Sequence, residues 1–356
     1  MTVSLKSIAQ HTGLSPATVS RALRDSDLIS KETKKLVEKT ARELGYQPTP
    51  LIGEVMSHLR RSEQHSYKGN LAYIYITSPG QTGQTSHQKE QYEGAKERAA
   101  QLGFTLDAFT HTATDNKHAA LSRMLLSRGI IGVIFANQHA RADFSGFNWE
   151  PFAAVQNDCP ISSPVLHTSG IDHHRTIQMA LTRLAARGYT RFGFFIETFK
   201  DIRLAYRWSG AFAAFQHSMP AYLCIPELEL SMIEPREFLS WFFKYRPDVV
   251  IGHKAAVIEW LRGEGIQVPR DVGFFSLNCG ESPVPCAGLD LEARQQGAIA
   301  IESVVTQIHQ MERGVPAYPK TIYIEGRWVE GPTIRPATAK TNAGRGARAK
   351  LAQPPA

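Results

Sequence analysis

From residue 71 onward, short apolar runs alternate with stretches of helical spacing. Leu71-Ala-Tyr-Ile-Tyr-Ile, Phe104 to Phe109 and Ile130-Ile-Gly-Val-Ile-Phe-Ala read as strands, and Gln88 to Leu102 as a helix between the first two. Near-continuous apolar strands are the mark of a parallel sheet buried on both faces. The alternation restarts after residue 168: helix 171–187, strand Arg191 to Ile196, helix 203–217, strand Asp248 to Gly252, helix 254–263 and strand Val272 to Ser276. A long helix from Glu292 to Met311 and the strand Thr321-Ile-Tyr-Ile-Glu follow. Two doubly wound α/β lobes are therefore expected, with a cleft between them lined by loops at the carboxyl ends of the strands.

The first fifty residues follow a different period and read as three short helices. Ser4 can cap the first, whose inward face is Leu5, Ile8 and Ala9, and Gly13 breaks it. Ser15 is an N-cap followed by Pro16 at the first helical position, where the missing N–H costs nothing. This second helix turns Val19, Ala22 and Leu23 inward and leaves Pro16, Ala17, Ser20 and Arg21 outward. Ser30 caps a third helix with the stripe Leu36, Val37, Ala41 and Leu44, ended by Gly45. Two helices joined by a Gly-containing turn, closed by a third, form a helix-turn-helix unit, whose second helix enters the major groove of DNA. Arg21 suits a bidentate contact to guanine, and Thr18 and Ser20 suit phosphates. The plain alternative is a trihelical unit with no nucleic-acid role.

Charge sharpens this picture. Of 40 basic and 33 acidic side chains, residues 1–70 hold 11 and 7, residues 335–356 hold 5 and none, and the remainder is nearly balanced. A neutral body with basic ends is expected where an end meets a polyanion. The tail 336–356 lacks apolar periodicity and reads as disordered and solvated. Across the chain 42% hydrophobic and 21% charged residues suit a soluble protein with a sizeable core. No apolar run approaches the roughly 20 residues of a membrane span, and the first residues lack a signal peptide's apolar centre, so a cytoplasmic location without membrane contact is expected. Cys159, Cys224, Cys279 and Cys286 lack the paired spacing of a zinc or redox centre, so neither metal nor cofactor is expected.

The run Leu5-Lys-Ser-Ile-Ala-Gln-His-Thr-Gly-Leu-Ser-Pro-Ala-Thr-Val-Ser-Arg-Ala-Leu, with Ile29-Ser-Lys-Glu-Thr and Glu43-Leu-Gly-Tyr-Gln-Pro, resembles the headpiece of the lactose-repressor (LacI/GalR) family of transcription regulators. Gly188-Tyr-Thr-Arg-Phe-Gly-Phe-Phe, Gly265-Ile-Gln-Val-Pro-Arg-Asp-Val-Gly and the closing Glu-Gly-Arg-Trp-Val are similar to landmarks of its core. The resemblance implies an all-α helix-turn-helix headpiece at 1–49, a hinge and linker at 50–70, and a periplasmic-binding-protein-like core of two doubly wound lobes at 71–335. The implied N-lobe is 71–167 plus 290–316, and the C-lobe 168–289 plus 317–335. It also implies a homodimer that pairs two headpieces on a near-palindromic double-stranded operator, mostly for repression, under a small-molecule effector in the cleft.

By that resemblance Pro16, Ala17 and Arg21 occupy base-reading positions, and Arg24 stands where many members have Asn. The DNA-facing set is Ser4, Leu5, Ser15, Pro16, Ala17, Thr18, Ser20, Arg21, Arg24, Tyr46, Val55 and Met56. Val55 falls near the family's intercalating Leu, with Met56 and Leu59 as rivals, while Gly53 and Glu54 disfavour that insertion and hinge-to-hinge packing stands beside it as an alternative. The connection to the first strand is roughly seven or eight residues longer than in relatives. In the cleft, Arg207 and Asp172 match ligand-binding positions, whereas His253-Lys254 replaces a common Asn-Asp and Asn278 replaces an Asp. Fewer acceptors and an added cation suit an anionic metabolite beside the family's usual sugars.

Three rival readings remain. In one, Lys254 is solvated and the cleft vestigial, leaving a DNA-binding regulator without an effector. In another, His173-His174, Glu197 and Asp201 serve an enzyme, but none has a metal, phosphate-loop or nucleophile-elbow spacing, and adjacent helical histidines read as a solvated pair. The third, a periplasmic sugar-binding protein, is opposed by the headpiece.

Overall fold

In the computed structural model, the described residues are 5–15, 18–19, 22–23, 29–44, 67–77, 83–112, 117–136, 142–158 and 161–336. The chain divides into two compact units, Met1–Ser66 and Tyr67–Ala356.

In the first unit, α1 spans Leu5–Thr12 and α2 spans Lys31–Glu43, and residues 18, 19 and 22 between them are helical. Gly13 takes a left-handed φ of 67°, which lets the chain reverse after α1. Ser15 Oγ accepts from Thr18 N at 3.0 Å, the N-cap that starts the second helix, and Ser30 caps α2 in the same way through Thr33 N. Ile8, Ala9, Val19, Ala22, Val37 and Ala41 form the core, with Leu14, Leu23, Ile29 and Leu44 packed on it. Leu36 departs from the expected stripe: it is 48% exposed, because Val37 and Ala41 already fill the inward face of α2.

The second unit holds two six-stranded sheets. The N-lobe uses β1 (Gly69–Thr77), β2 (Phe104–Thr112), β3 (Ile130–Phe135), β5 (Ala153–Asn157), β7 (His167–Ile171) and β13 (Thr321–Ile324), all parallel in the order β13-β7-β5-β3-β1-β2. A separate parallel pair is β4 (Ala142–Asp143) with β6 (Ile161–Ser163). The C-lobe uses β8 (Phe192–Glu197), β9 (Leu228–Leu230), β10 (Val249–Gly252), β11 (Gly273–Ser276), β12 (Ala287–Asp290) and β14 (Arg327–Val329), in the order β14-β12-β11-β10-β8-β9, with β14 antiparallel.

Each strand's alternation divides its side chains between two cores. Leu71, Tyr73 and Tyr75 of β1 meet α3 (Ser86–Leu102) and α10 (Ala293–Gln310), while Ala72, Ile74 and Ile76 meet α4 (His118–Ser127) and the aromatic segment Phe144 to Phe152. In the C-lobe α5 (His173–Ala186) and α7 (Arg207–His217) cover one face, and α8 (Pro235–Tyr245) and α9 (Val257–Gly263) cover the other.

Three features differ from the sequence-based expectation. The segments 168–171 and 321–324, assigned above to the C-lobe, pair into the N-lobe sheet as β7 and β13. The polar composition of His167-Thr-Ser-Gly-Ile conceals a fully buried strand. The helix expected at 203–217 is two helices, α6 (Thr198–Arg203) and α7, because Ala205 and Tyr206 take left-handed φ values of 53° and 57°. The aromatic run 235–245 is a helix, with Pro235 in its first turn and Phe238, Trp241 and Phe242 inward. Among the described residues no helix is long and apolar enough to cross a membrane.

Candidate functional site: headpiece and interlobe cleft

In the headpiece, Ser15 and Thr18 are placed as expected at the start of the second helix, and their hydroxyls lie 2.8 Å apart. Leu5 opens α1. Ser4, Pro16, Ala17, Ser20, Arg21, Arg24, Tyr46, Val55 and Met56 lie outside the described residues, as do the hinge and the tail 337–356.

The core contains a cavity of about 340 Å³ between the two sheets, reached from both lobes. Four N-lobe side chains, His87 and Gln88 of α3, Asp158 after β5 and Gln296 of α10, face Lys200 and Arg203 of α6, Trp208 of α7, His253, Asn278 and Glu281 from the C-lobe, with His173 at the crossing into α5. Of the ligand positions expected from sequence, His253 and Asn278 line this cavity. Asp172, Arg207 and Lys254 do not: Asp172 caps α5 by accepting from Arg175 N at 2.9 Å, Arg207 places its guanidinium 4.7 Å from the Tyr323 ring, and Lys254 donates to Ile233 O and lies 5.4 Å over Trp260. Lys254 turns outward because the backbone carbonyl of Ile233 and Glu234, 3.9 Å away, take its ammonium.

Asp158 is the centre of the polar cluster. It is 4% exposed and has a left-handed φ of 55°, which aims the carboxylate away from its own strand. Oδ1 lies 3.6 Å from His173 Nε2 and Oδ2 lies 3.8 Å from Arg203 Nη1. Gly170 makes room for it, since a Cβ there would stand 2.5 Å from Oδ1. Burial alone would raise this carboxyl, but His173, Arg203 and His87 together hold it below the usual carboxylate range. For His253 burial comes first, with Lys200, Arg203 and His173 adding repulsion, and the ring is held well below an ordinary imidazole. Burial lowers His87 as well, against the pull of Asp158 and Glu281. Both rings are therefore neutral at neutral pH.

Sequence reasoning missed Asp158, His173, Lys200, Arg203 and Trp208, and it took His173-His174 for a solvated pair. Only His174 is exposed; His173 is buried, with its ring centroid 4.5 Å from that of Trp208. A usable signal was the position of Asp158, directly beyond the carboxyl end of a strand facing the cleft. Asp158 Oδ1, both ring nitrogens of His173, Arg203 Nε and Trp208 Nε1 are buried and make no hydrogen bond among the described residues. Clustered unpaired donors and acceptors are costly in a folded core and fit a site made for a polar ligand.

Among the described residues the cavity offers no cation without a carboxylate neighbour: Lys200 lies 2.7 Å from Glu197, and Arg203 faces Asp158. No group of three or more His, Cys, Asp or Glu among the described residues could hold a metal ion.

Two sequence profiles match the chain: "Bacterial regulatory proteins, lacI family" over residues 4–49 and "Periplasmic binding protein-like domain" over residues 181–334. Its N-terminal segment is a lacI-family domain, and its core is a periplasmic-binding-protein-like domain. It is 24% identical over 291 residues to the HTH-type transcriptional regulator RegA of Clostridium saccharobutylicum, covering 78% of this chain and 83% of that one. Solved lacI-family regulators have a similar fold. The transcriptional regulator CelR in complex with cellobiose aligns with a TM-score of 0.56 at 18% identity, over 93% of this chain and 99% of that one. The lac repressor dimer bound to operator and the anti-inducer ONPF aligns at 0.52 and 16% identity, over 94% and 99%. With a lacI-family DNA-binding domain and a core built like a sugar-binding protein, the chain is a DNA-binding transcription regulator.

Proposed function

We propose that the protein is a cytoplasmic transcriptional repressor that binds a near-palindromic operator as a homodimer and changes its DNA affinity when a small polar molecule enters the interlobe cleft. The observation that carries this reading is the union in one chain of a lacI-family headpiece with a cleft in which buried polar atoms of Asp158, His173, Arg203 and Trp208 make no hydrogen bond among the described residues. CelR binds cellobiose and the lac repressor binds its operator as a dimer, which supports the same arrangement here. The base-reading roles of Pro16, Ala17 and Arg21, phosphate contacts from Thr18 and Ser20, and a wedge or hinge role for Val55 and Met56 belong to this proposal.

The ligand proposed is a sugar or an anionic metabolite, held by Asp158, His173, Arg203, Trp208, His253 and Asn278. With Lys254 and Arg207 facing elsewhere and the lining cations paired, a molecule bearing both donors and acceptors, as a sugar does, fits better than a bare anion. Ligand can shift DNA affinity only if it binds the open and closed lobe arrangements unequally.

The test is selection of bound fragments from randomised and genomic DNA, followed by titrations of the winner at two salt concentrations. Enrichment of an inverted repeat, bound far more tightly than random DNA, is expected. Affinity for all DNA that only collapses with salt would overturn site-specific regulation. A thermal-shift panel of neutral sugars, carboxylates and phosphates, repeated on Asp158→Asn, tests the cleft.

A further inference from the structure

Glu281 belongs to the short 3-10 turn Cys279–Glu281 between β11 and β12 of the C-lobe, yet its carboxylate accepts from the backbone N–H of His87 at 2.5 Å, in the first turn of α3 in the N-lobe. The local capping of α3 is already complete on its own lobe. Thr85 Oγ1 accepts from Gln88 N at 3.2 Å, and Gln88 Oε1 accepts from Thr85 N at 3.1 Å, a reciprocal capping box. His87 N–H is one of the donors that no residue of α3 can satisfy, and a side chain 194 residues away on the other sheet takes it. A carboxylate at a helix N-terminus also gains from the helix dipole.

A second charged contact crosses the cleft in the opposite sense. There the N-lobe supplies the carboxylate, Asp158, and the C-lobe side supplies Arg203 and His173. The two bridges differ in burial: Asp158 is enclosed, while Glu281 is exposed at the mouth. An exposed contact is weak enough to break and reform readily.

We propose that Glu281 is an interlobe latch, which acts with the Asp158 bridge to hold the two lobes together across the cleft. Opening the lobes removes both contacts together, so each bridge strengthens the other. The latch sets the starting position from which any cleft ligand must act, and it operates whether or not the ligand proposed above is the correct one.

Hydrogen exchange of the full-length protein tests this. In Glu281→Ala, amides of residues 85–89 should exchange roughly ten-fold faster, the scale of one lost charge-assisted hydrogen bond. Because the bridges are coupled, the amides of Leu204 and Tyr206, which donate to Asp201 O in the opposite lobe, should also speed up. Asp158→Asn should in turn accelerate the His87 amide. Unchanged exchange in strand Leu71–Ile76 reports an intact fold, and Glu281→Met, of similar length and with no oxygen to accept from His87 N–H, gives the same reading if Glu281→Ala unfolds. Acceleration confined to 85–89, or none at all, would make Glu281 a local cap and overturn the latch.

Discussion

Replacing Gly297 by Ala should destabilise the core although the position is inside a helix, where the same change ordinarily stabilises by about 1 kcal/mol. The sign is the test. Gly297 lies on α10 against α3, and a Cβ there would stand 1.9 Å from Gln91 O and 2.8 Å from Ala95 N. Ordinary contact begins near 3.4 Å, so the helices must part by about 1.5 Å against backbone that cannot rotate away. Gly94 makes the matching approach from α3, where a Cβ would stand 2.0 Å from Arg294 O. Overpacking of this kind costs about 1 to 3 kcal/mol. Separation also strains the buried bond from Gln91 Nε2 to Gln296 Oε1, 2.8 Å long, whose loss would add about 1 to 3 kcal/mol. After the helix-propensity gain is subtracted, Gly297→Ala should lose about 1 to 5 kcal/mol. Gly210 of α7 is the control: nothing lies within 4 Å of its Cβ position, and Gly210→Ala should be neutral or stabilising. Urea denaturation followed by far-ultraviolet circular dichroism gives both values. A Gly297→Ala protein as stable as the parent would refute the reading that glycine is there for helix-to-helix contact.

Four further outcomes concern the cleft and the headpiece. His253 and His87 have folded values below the ordinary imidazole value of 6.5, so they stabilise the fold above that pH and this contribution is lost as pH falls below it. The urea midpoint should drop between about pH 7 and about pH 5, and His253→Asn should flatten that slope; an unchanged slope would show that His253 does not drive it. The Asp158 carboxyl, held below its ordinary 3.8, adds a loss that begins only under that pH, which Asp158→Asn should remove. Trp208→Phe, which deletes the unpartnered indole N–H, should weaken a polar cleft ligand about ten-fold in calorimetry, and unchanged affinity would remove Trp208 from the ligand's hydrogen bonds. Arg21→Ala should lower preference for the selected operator by about 1 to 3 kcal/mol per half-site, and an equal loss on random DNA would sink the base-reading role.

The two-lobed architecture was legible because its strands are apolar on both faces. Leu71 to Ile76 divides into Leu71, Tyr73 and Tyr75 for one core and Ala72, Ile74 and Ile76 for the other, and no polar position interrupts the pattern. The lobe boundary was not legible where burial is achieved with small or polar residues. His167-Thr-Ser-Gly-Ile is buried throughout, with Ser169 Oγ donating to Asn157 Oδ1 at 2.6 Å and Gln156 Nε2 donating to Thr168 Oγ1 at 3.1 Å. Those bonds exist only once β5 and β7 are side by side, so a single segment carries no sign of them. The same limit applies to the helix break at Ala205 and Tyr206, which neither glycine nor proline announces.

That break decides the chemistry of the cleft. With an uninterrupted helix from 203, Arg207 would follow Arg203 by about one turn and the two guanidiniums would share a face. The left-handed pair instead ends α6 after Arg203 and starts α7 in a new direction. Arg203 is thereby directed to Asp158, Trp208 brings its indole into the cavity wall, and Arg207 is sent to Tyr323. Instead of two neighbouring guanidiniums, the described lining carries Lys200 and Arg203, each already facing a carboxylate. Motif matching at Arg-Trp-Ser-Gly alone therefore finds the correct stretch of chain, whereas which arginine lines the cavity is set by the backbone turn and not by the spacing of charges.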